Sequence, residues 1–206
     1  VTIPFWTRSG TIDLENLTPE NLTAEVIGDT LAKINRFGGR TNRPWSVAAH
    51  SVLVEYLAPP ELRPWAILHD AHEIFIGDLT EPGVEFLCLC GTRPAVENAV
   101  ANAKARLDRI IGSAWGVAVR SQNQDLRRAD YIALLAEANV FLGTRPELTS
   151  AADRDDFDRA LTLIADLPCH WQEARALWIS RAEHYASLGL LALPKATDPS
   201  SAVLAG

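Results

Sequence analysis

His50 and Asp130 interrupt the apolar stripes of two predicted helices. His50 shares a helical face with Val47, Val54 and Leu57, and Asp130 stands four residues from both Leu126 and Leu134. An ionisable group on a core-facing stripe is costly unless it is paired or bound to a metal. Taken alone, His50 reads as a hydrogen-bonded core histidine, and Asp130 equally as a ligand or as the ion-pair partner of Arg127 or Arg128. His69 and Asp70 change that balance. They are adjacent, just after the apolar run WAIL, and successive helical residues diverge by about 100°. They converge on one ion only near a helix end, with further ligands from neighbouring helices, and His50 and Asp130 are placed to supply them. Two imidazoles and two carboxylates suit one divalent transition metal ion (Mn²⁺, Co²⁺, Fe²⁺, Zn²⁺ or Ni²⁺) without selecting among these. Four protein ligands leave positions for water and a phosphate oxygen. An ion there lowers the pKa of the water and neutralises charge on phosphorus-bound oxygens.

Several neighbours extend the pattern. Glu73 lies four residues after His69, on the same helical face, and a carboxyl beside a metal centre suits general acid–base work. Asp78 follows Gly77 in a loop, where turn chemistry explains an Asp equally well. His72 either faces the pocket or caps the helix end, and capping is the favoured reading. Glu137 shares the face of Asp130; it either supports an Arg or a ligand histidine or makes a plain helix salt bridge. Arg36, Arg40 and Arg43 form a basic cluster in a Gly-rich loop ahead of His50. Arginine matches phosphate with paired donors, and Arg36 is the foremost candidate.

The elements that must position these residues are nearly all helical. Residues 3–17 suggest a small β-hairpin turning at Ser9-Gly10. Thr18-Pro19-Glu20 signals a helix start. Ala24, Ile27, Leu31 and Ile34 then share a face, and Gly38-Gly39 predicts a stop near Phe37. Further helices are predicted over Trp45–Leu57, Glu61–Glu73, Pro94–Ile111, Gln122–Leu142, Asp153–Leu167 and His170–Leu188, while residues 84–91 are ambiguous. The expected fold is an all-α helical bundle: one domain over 1–193, with a hairpin at about 3–17 and a helical core at about 18–188. A loosely held tail is expected over 194–206.

Composition narrows the function. The 206 residues carry a formal net charge of −7, against the basic surface of a non-selective nucleic-acid binder. No apolar run approaches the ~20 residues that span a bilayer, and the N-terminus lacks a secretory pattern. Cys88, Cys90 and Cys169 have neither disulfide-framework nor zinc-ribbon spacing. A cytoplasmic protein is expected, with no nucleic-acid or membrane partner.

An isolated His, an adjacent His-Asp pair and a distant Asp make up the signature of the HD superfamily, which the chain resembles through His50, His69-Asp70 and Asp130. Beyond the pair it is similar to bacterial HD-domain 5′-deoxynucleotidases, which carry acids three and eight residues after the HD aspartate; here these are Glu73 and Asp78. Upstream of the first histidine those enzymes have an Arg-aromatic pair, matched by Arg36-Phe37 with Phe in place of Trp. The segment INRFGGRTNRPWSVAAHSVLV also resembles small HD proteins of phages and bacteria, among them dATP triphosphohydrolases. The likeness runs from about residue 8 to 145. It implies an HD-domain bundle and a divalent-metal-dependent phosphohydrolase acting on deoxynucleotides. By resemblance, Glu73 shuttles protons, Asp78 contacts the sugar or the attacking water, and Arg36, with Phe37 and Arg40, binds a small nucleotide. A homo-oligomer is expected on the same ground. Hydrolysis of an alarmone or cyclic dinucleotide is the alternative activity, and a non-catalytic metal-binding HD module the alternative class. Five histidines, two near the C-terminus, favour one metal over two. LHDAHE is neither H-E-x-x-H nor H-x-x-E-H, which sets a zinc protease aside.

Overall fold

Strands β1 (Pro4–Thr7) and β2 (Gly10–Asp13) pair antiparallel, with Phe5 opposite Ile12 and Trp6 opposite Thr11. The rest of the architecture is helical: α1 (Ala24–Leu31), α2 (Val47–Leu57), α3 (Arg63–Ala66), α4 (Glu73–Ile76), α5 (Glu81–Cys88), α6 (Arg93–Ala114), α7 (Gln124–Leu142), α8 (Ala151–Asp166) and α9 (Trp171–Ser187). The fold is therefore mostly α with a small N-terminal hairpin, as the sequence suggests. This computed structural model describes residues 1–8, 10–148 and 150–196. Ser9, expected in the hairpin turn, and positions 197–206 of the expected tail lie outside the described residues. Among the described residues no helix is long and apolar enough to cross a membrane.

Side-chain caps fix where several helices begin. Thr23, Ser46, Asn123 and Ser150 each accept a backbone N–H in the first turn of α1, α2, α7 and α8, satisfying donors that a helix start leaves free. Gly143, at φ 73°, ends α7 in the left-handed conformation.

Two helix predictions need correction. The first expected helix splits: Thr18-Pro19 opens a separate 3-10 turn, Pro19–Leu22, and α1 stops at Leu31 rather than near Phe37. Tertiary pairing wins there. The Arg36 N–H donates to the Trp45 carbonyl and the Val47 N–H to the Ile34 carbonyl, closing the arginine loop against the start of α2. Within that loop Phe37 takes φ 56°, a strained value for a residue with a side chain.

The expected Glu61–Glu73 helix is interrupted over 67–72, leaving only α3 and α4 helical. Hydrogen bonds in the gap tighten from i−4 to i−3 partners, with Leu68 N–H on Trp65, Ala71 N–H on Leu68 and Glu73 N–H on Asp70. The His69 side chain competes for the Ala66 carbonyl at 2.7 Å. His69 and Asp70 consequently sit in a tight turn, not on a regular helix. The ambiguous 84–91 stretch contributes α5, capped by Thr80.

Helix α2 is the centre of the fold. It is buried continuously from Val47 to Glu55 and packs against α3, α7, α8 and α9. Four fully buried tryptophans (Trp45, Trp65, Trp115 and Trp178) fill the core around it. Trp115 and Trp178 also donate their indole N–H groups to the carbonyls of Leu22 and Ile67. The second of these bonds anchors the turn that carries His69.

Candidate metal centre

Three parts of the chain converge beside α2. His50 comes from α2, His69 and Asp70 from the tight turn, and Asp130 from α7. His50 Nε2 lies 3.4 Å from Asp70 Oδ2 and 3.1 Å from Asp130 Oδ1. His69 Nε2 lies 3.2 Å from Asp70 Oδ2 and 3.9 Å from Asp130 Oδ1. The four predicted ligands are thus brought together, each by one side-chain atom.

The histidines are prepared alike. His50 Nδ1 meets Glu137 Oε1 at 2.7 Å, and His69 Nδ1 meets the Ala66 carbonyl at 2.7 Å. Both partners accept, so each Nδ1 is the donor, and Nε2 is the nitrogen that gives up its proton when a cation is bound. Each Nε2 is buried and faces carboxylate oxygens, Asp130 at 3.1 Å for His50 and Asp70 at 3.2 Å for His69, without the alignment of a regular hydrogen bond. A buried unsatisfied polar atom costs ~1–3 kcal/mol, which a bound cation would relieve. Second-site partners of this kind orient metal-ligating histidines, and the donor set fits a divalent ion.

The electrostatics point the same way. Burial and the charge of Arg36 oppose a proton on His50, but Glu137 and Asp130 outweigh them and push it up to about 10. Burial likewise opposes the His69 proton, and Asp70 raises it above the ordinary range. Burial works to raise Asp70, yet His69 and His50 hold it well below the usual carboxylate range. Asp130 is lowered against its burial by the two histidines, and Glu137 against its burial by His50 and Arg36. The site concentrates carboxylates and draws positive charge.

Some assignments need adjustment. Asp130 is not a core residue: its side chain is 44% exposed, so it sits at the rim while Leu126 is buried. Arg128 pairs instead with Asp153 and Asp156, which leaves Asp130 facing the histidines. His72 does not cap a helix end. Its Nδ1 contacts Asp108 at 2.9 Å and its Nε2 is buried without a partner. His72 and Glu73 form with Asp70 a second group able to hold a cation, with one donor atom from each lying within 4.8 Å of the others. Glu73 is buried, its Oε2 unpartnered. Burial first, then the charges of Asp70 and Asp78, push its carboxyl up to about 9. Asp78 is half-buried and close enough for its charge to act on both Glu73 and Arg36.

The arginine loop divides. Arg36 is buried, with Nε 3.0 Å from Glu137 and Nη1 3.8 Å from Asp70. The Phe37 ring lies 5.7 Å from its guanidinium. Arg40 is exposed, and Arg43 stacks over Phe141. Glu137 is a joint support, fixing a candidate ligand histidine and Arg36 together, not a plain helix salt bridge.

Sequence reasoning missed Asp108, although its place between Leu107 and Ile111 on the buried face of α6 was a readable signal. It also missed a cleft of about 1010 Å³ beside the centre, walled by α6, α7 and the chain between them.

No family model matches the chain. It is 32% identical over 68 residues to the uncharacterized protein YfdR of Escherichia coli, covering 33% of this chain and 38% of that protein. It is 40% identical over 80 residues to an uncharacterized protein of Rhodobacter capsulatus, covering 34% of this chain and 41% of that protein. The matched region thus spans about two fifths of the length of these curated relatives, and their names assign no activity.

Proposed function

We propose that the chain is a divalent-metal-dependent phosphohydrolase of the HD type that acts on deoxynucleotides. The observation that carries this reading is the pair of buried histidines whose Nδ1 atoms are fixed and whose Nε2 atoms stand open to Asp70 and Asp130. A divalent ion bound there supplies Lewis acidity at a phosphoryl oxygen and a nucleophilic water at neutral pH.

The chain's own residues do the rest. Arg36 is held by Glu137 through Nε, which leaves the far end of its guanidinium to meet a phosphate oxygen near Asp70. Phe37 flanks that guanidinium and offers a ring face to a nucleoside. Glu73 is buried beside Asp70 and Asp78, and burial and their charges favour its protonated form. It is therefore the group to protonate the departing ester oxygen. Asp78, beside it, orients the sugar or the incoming water. Arg40, exposed on the same loop, contributes long-range attraction for an anionic ligand.

The test is turnover on a panel. Mn²⁺- or Co²⁺-loaded protein is incubated with deoxynucleoside mono- and triphosphates, ribonucleotides, an alarmone and a cyclic dinucleotide, and products are separated by ion exchange. Hydrolysis of deoxynucleotides that is lost in Asp70→Ala supports the reading. Turnover confined to the alarmone or the cyclic dinucleotide replaces the substrate, and no turnover at all leaves a binding module.

A further inference from the structure

In a chain of net charge −7, one cleft gathers Lys104, Arg106, Arg109, Arg120 and Arg127. It opens directly from the candidate metal centre, since His69, Asp70 and Asp130 form part of its wall. Its remaining acid, Asp108, is buried and already engaged by His72 and by the Ser121 hydroxyl.

The cations are not equivalent. Arg106 is bound to Glu15 at 2.8 Å, and Arg109 donates to the Ala105 carbonyl. Among the described residues, Lys104, Arg120 and Arg127 show no ion pair. Each stands close to a residue that belongs to the centre or supports it. Lys104 is one turn of α6 from Asp108, and its charge reaches Glu73. Arg120 adjoins Ser121, which holds Asp108. Arg127 precedes Asp130 by three residues on α7, about 4.5 Å along the axis. Three elements therefore point free positive charge into one space that begins at the candidate ligands. A single phosphate at the centre is already served by Arg36 and a cation and would leave these three without a role. A chain of phosphates extending from it would meet them in turn.

We propose that this cleft receives a polyphosphate arm, so that the favoured substrates are nucleoside polyphosphates, the triphosphate ahead of the monophosphate. The inference rests on the phosphohydrolase reading above and adds the number of phosphates recognised.

The experiment has two arms. In the first, metal-loaded wild type and a Lys104→Ala/Arg120→Ala/Arg127→Ala variant are assayed on the mono- and triphosphate of one deoxynucleoside. Wild type should prefer the triphosphate in kcat/KM by about 100-fold. The variant should lose most of that preference through KM, with monophosphate turnover changed by less than about 3-fold. In the second arm, inorganic tripolyphosphate is titrated calorimetrically into both metal-free proteins, and the variant should bind at least about 10-fold more weakly. All three positions are exposed or half-buried, and Arg120→Ala alone provides a milder variant should the triple one misfold. Equal use of monophosphate and triphosphate by wild type overturns the inference, as does equal tripolyphosphate binding by both proteins. Absence of turnover on either nucleotide removes the phosphohydrolase reading, and the tripolyphosphate titration then still decides whether the cleft takes a phosphate chain.

Discussion

Helix α2 buries two ionisable side chains completely, His50 on the side of α7 and Glu55 on the side of α9. Glu55 is closed. It accepts from Arg181 Nε at 3.0 Å, from Arg181 Nη2 at 2.8 Å and from the Tyr185 hydroxyl. Burial and then Glu55 push Tyr185 up to about 12, so that hydroxyl remains a donor. His50 is half closed: Glu137 holds one ring nitrogen, and the other is buried with no hydrogen-bond partner. Burial alone does not separate the two residues, because both are fully enclosed. Completeness of pairing does. A buried charge with every polar atom matched holds elements together, whereas a buried ring nitrogen that faces carboxylates without an aligned hydrogen bond is arranged for something the chain does not itself supply.

The comparison breaks most sharply at His50. His50→Ala should abolish metal binding and lower turnover by at least about 10³-fold, since the ion's share of transition-state stabilisation is several kcal/mol; metal analysis and an initial-rate assay check both. Glu55→Ala should do the reverse. It strands Arg181 and Tyr185 and should destabilise the fold by ~3–5 kcal/mol, read by urea unfolding, with activity per folded molecule unchanged. Loss of activity without loss of stability in Glu55→Ala would erase the distinction between the two clusters. Glu137→Gln tests the support: Gln keeps one acceptor oxygen where Glu137 serves both His50 and Arg36, and metal affinity should fall about 10–100-fold by calorimetric titration.

The mildest expected effect is on pH. His50, pushed up to about 10, sits above the ~6.5 of an unfolded histidine. Its contribution to stability is complete below about 6.5 and is lost as pH rises through about 10. Chelator-treated protein should therefore melt progressively lower between pH 7 and 10. Saturating Mn²⁺ should flatten that slope, because the ion takes the place of the proton. Parallel slopes with and without the ion would contradict the assignment of His50 as a ligand.

The candidate ligand set was legible because His50 breaks an apolar stripe and the His-Asp pair follows one, both local signals. The helix signal at Thr18-Pro19 was legible too, although it opens a 3-10 turn and α1 itself starts only after Thr23. What was not legible depends on contacts far apart in the chain. The periodicity of WAILHDAHEIF reads as one helix, and only the His69 bond to Ala66 and the tight turns around it show the interruption. That Glu137 supports an arginine is one of two readings its sequence position allows, and only the fold shows that the arginine is Arg36, 101 residues away. Glu55 gave no sign of its role because Arg181 lies 126 residues on. The basic cleft was hidden for the same reason, its cations being scattered over α6, α7 and the segment between them.

The most direct measurement counts bound metal and assays deoxynucleotide hydrolysis on the same samples of wild type, before and after chelation and after Mn²⁺ is returned. Turnover should disappear with the ion and return in proportion to Mn²⁺ bound per chain. Hydrolysis that persists in fully chelated protein, or wild type that binds no divalent ion, would contradict the metal-dependent phosphohydrolase reading.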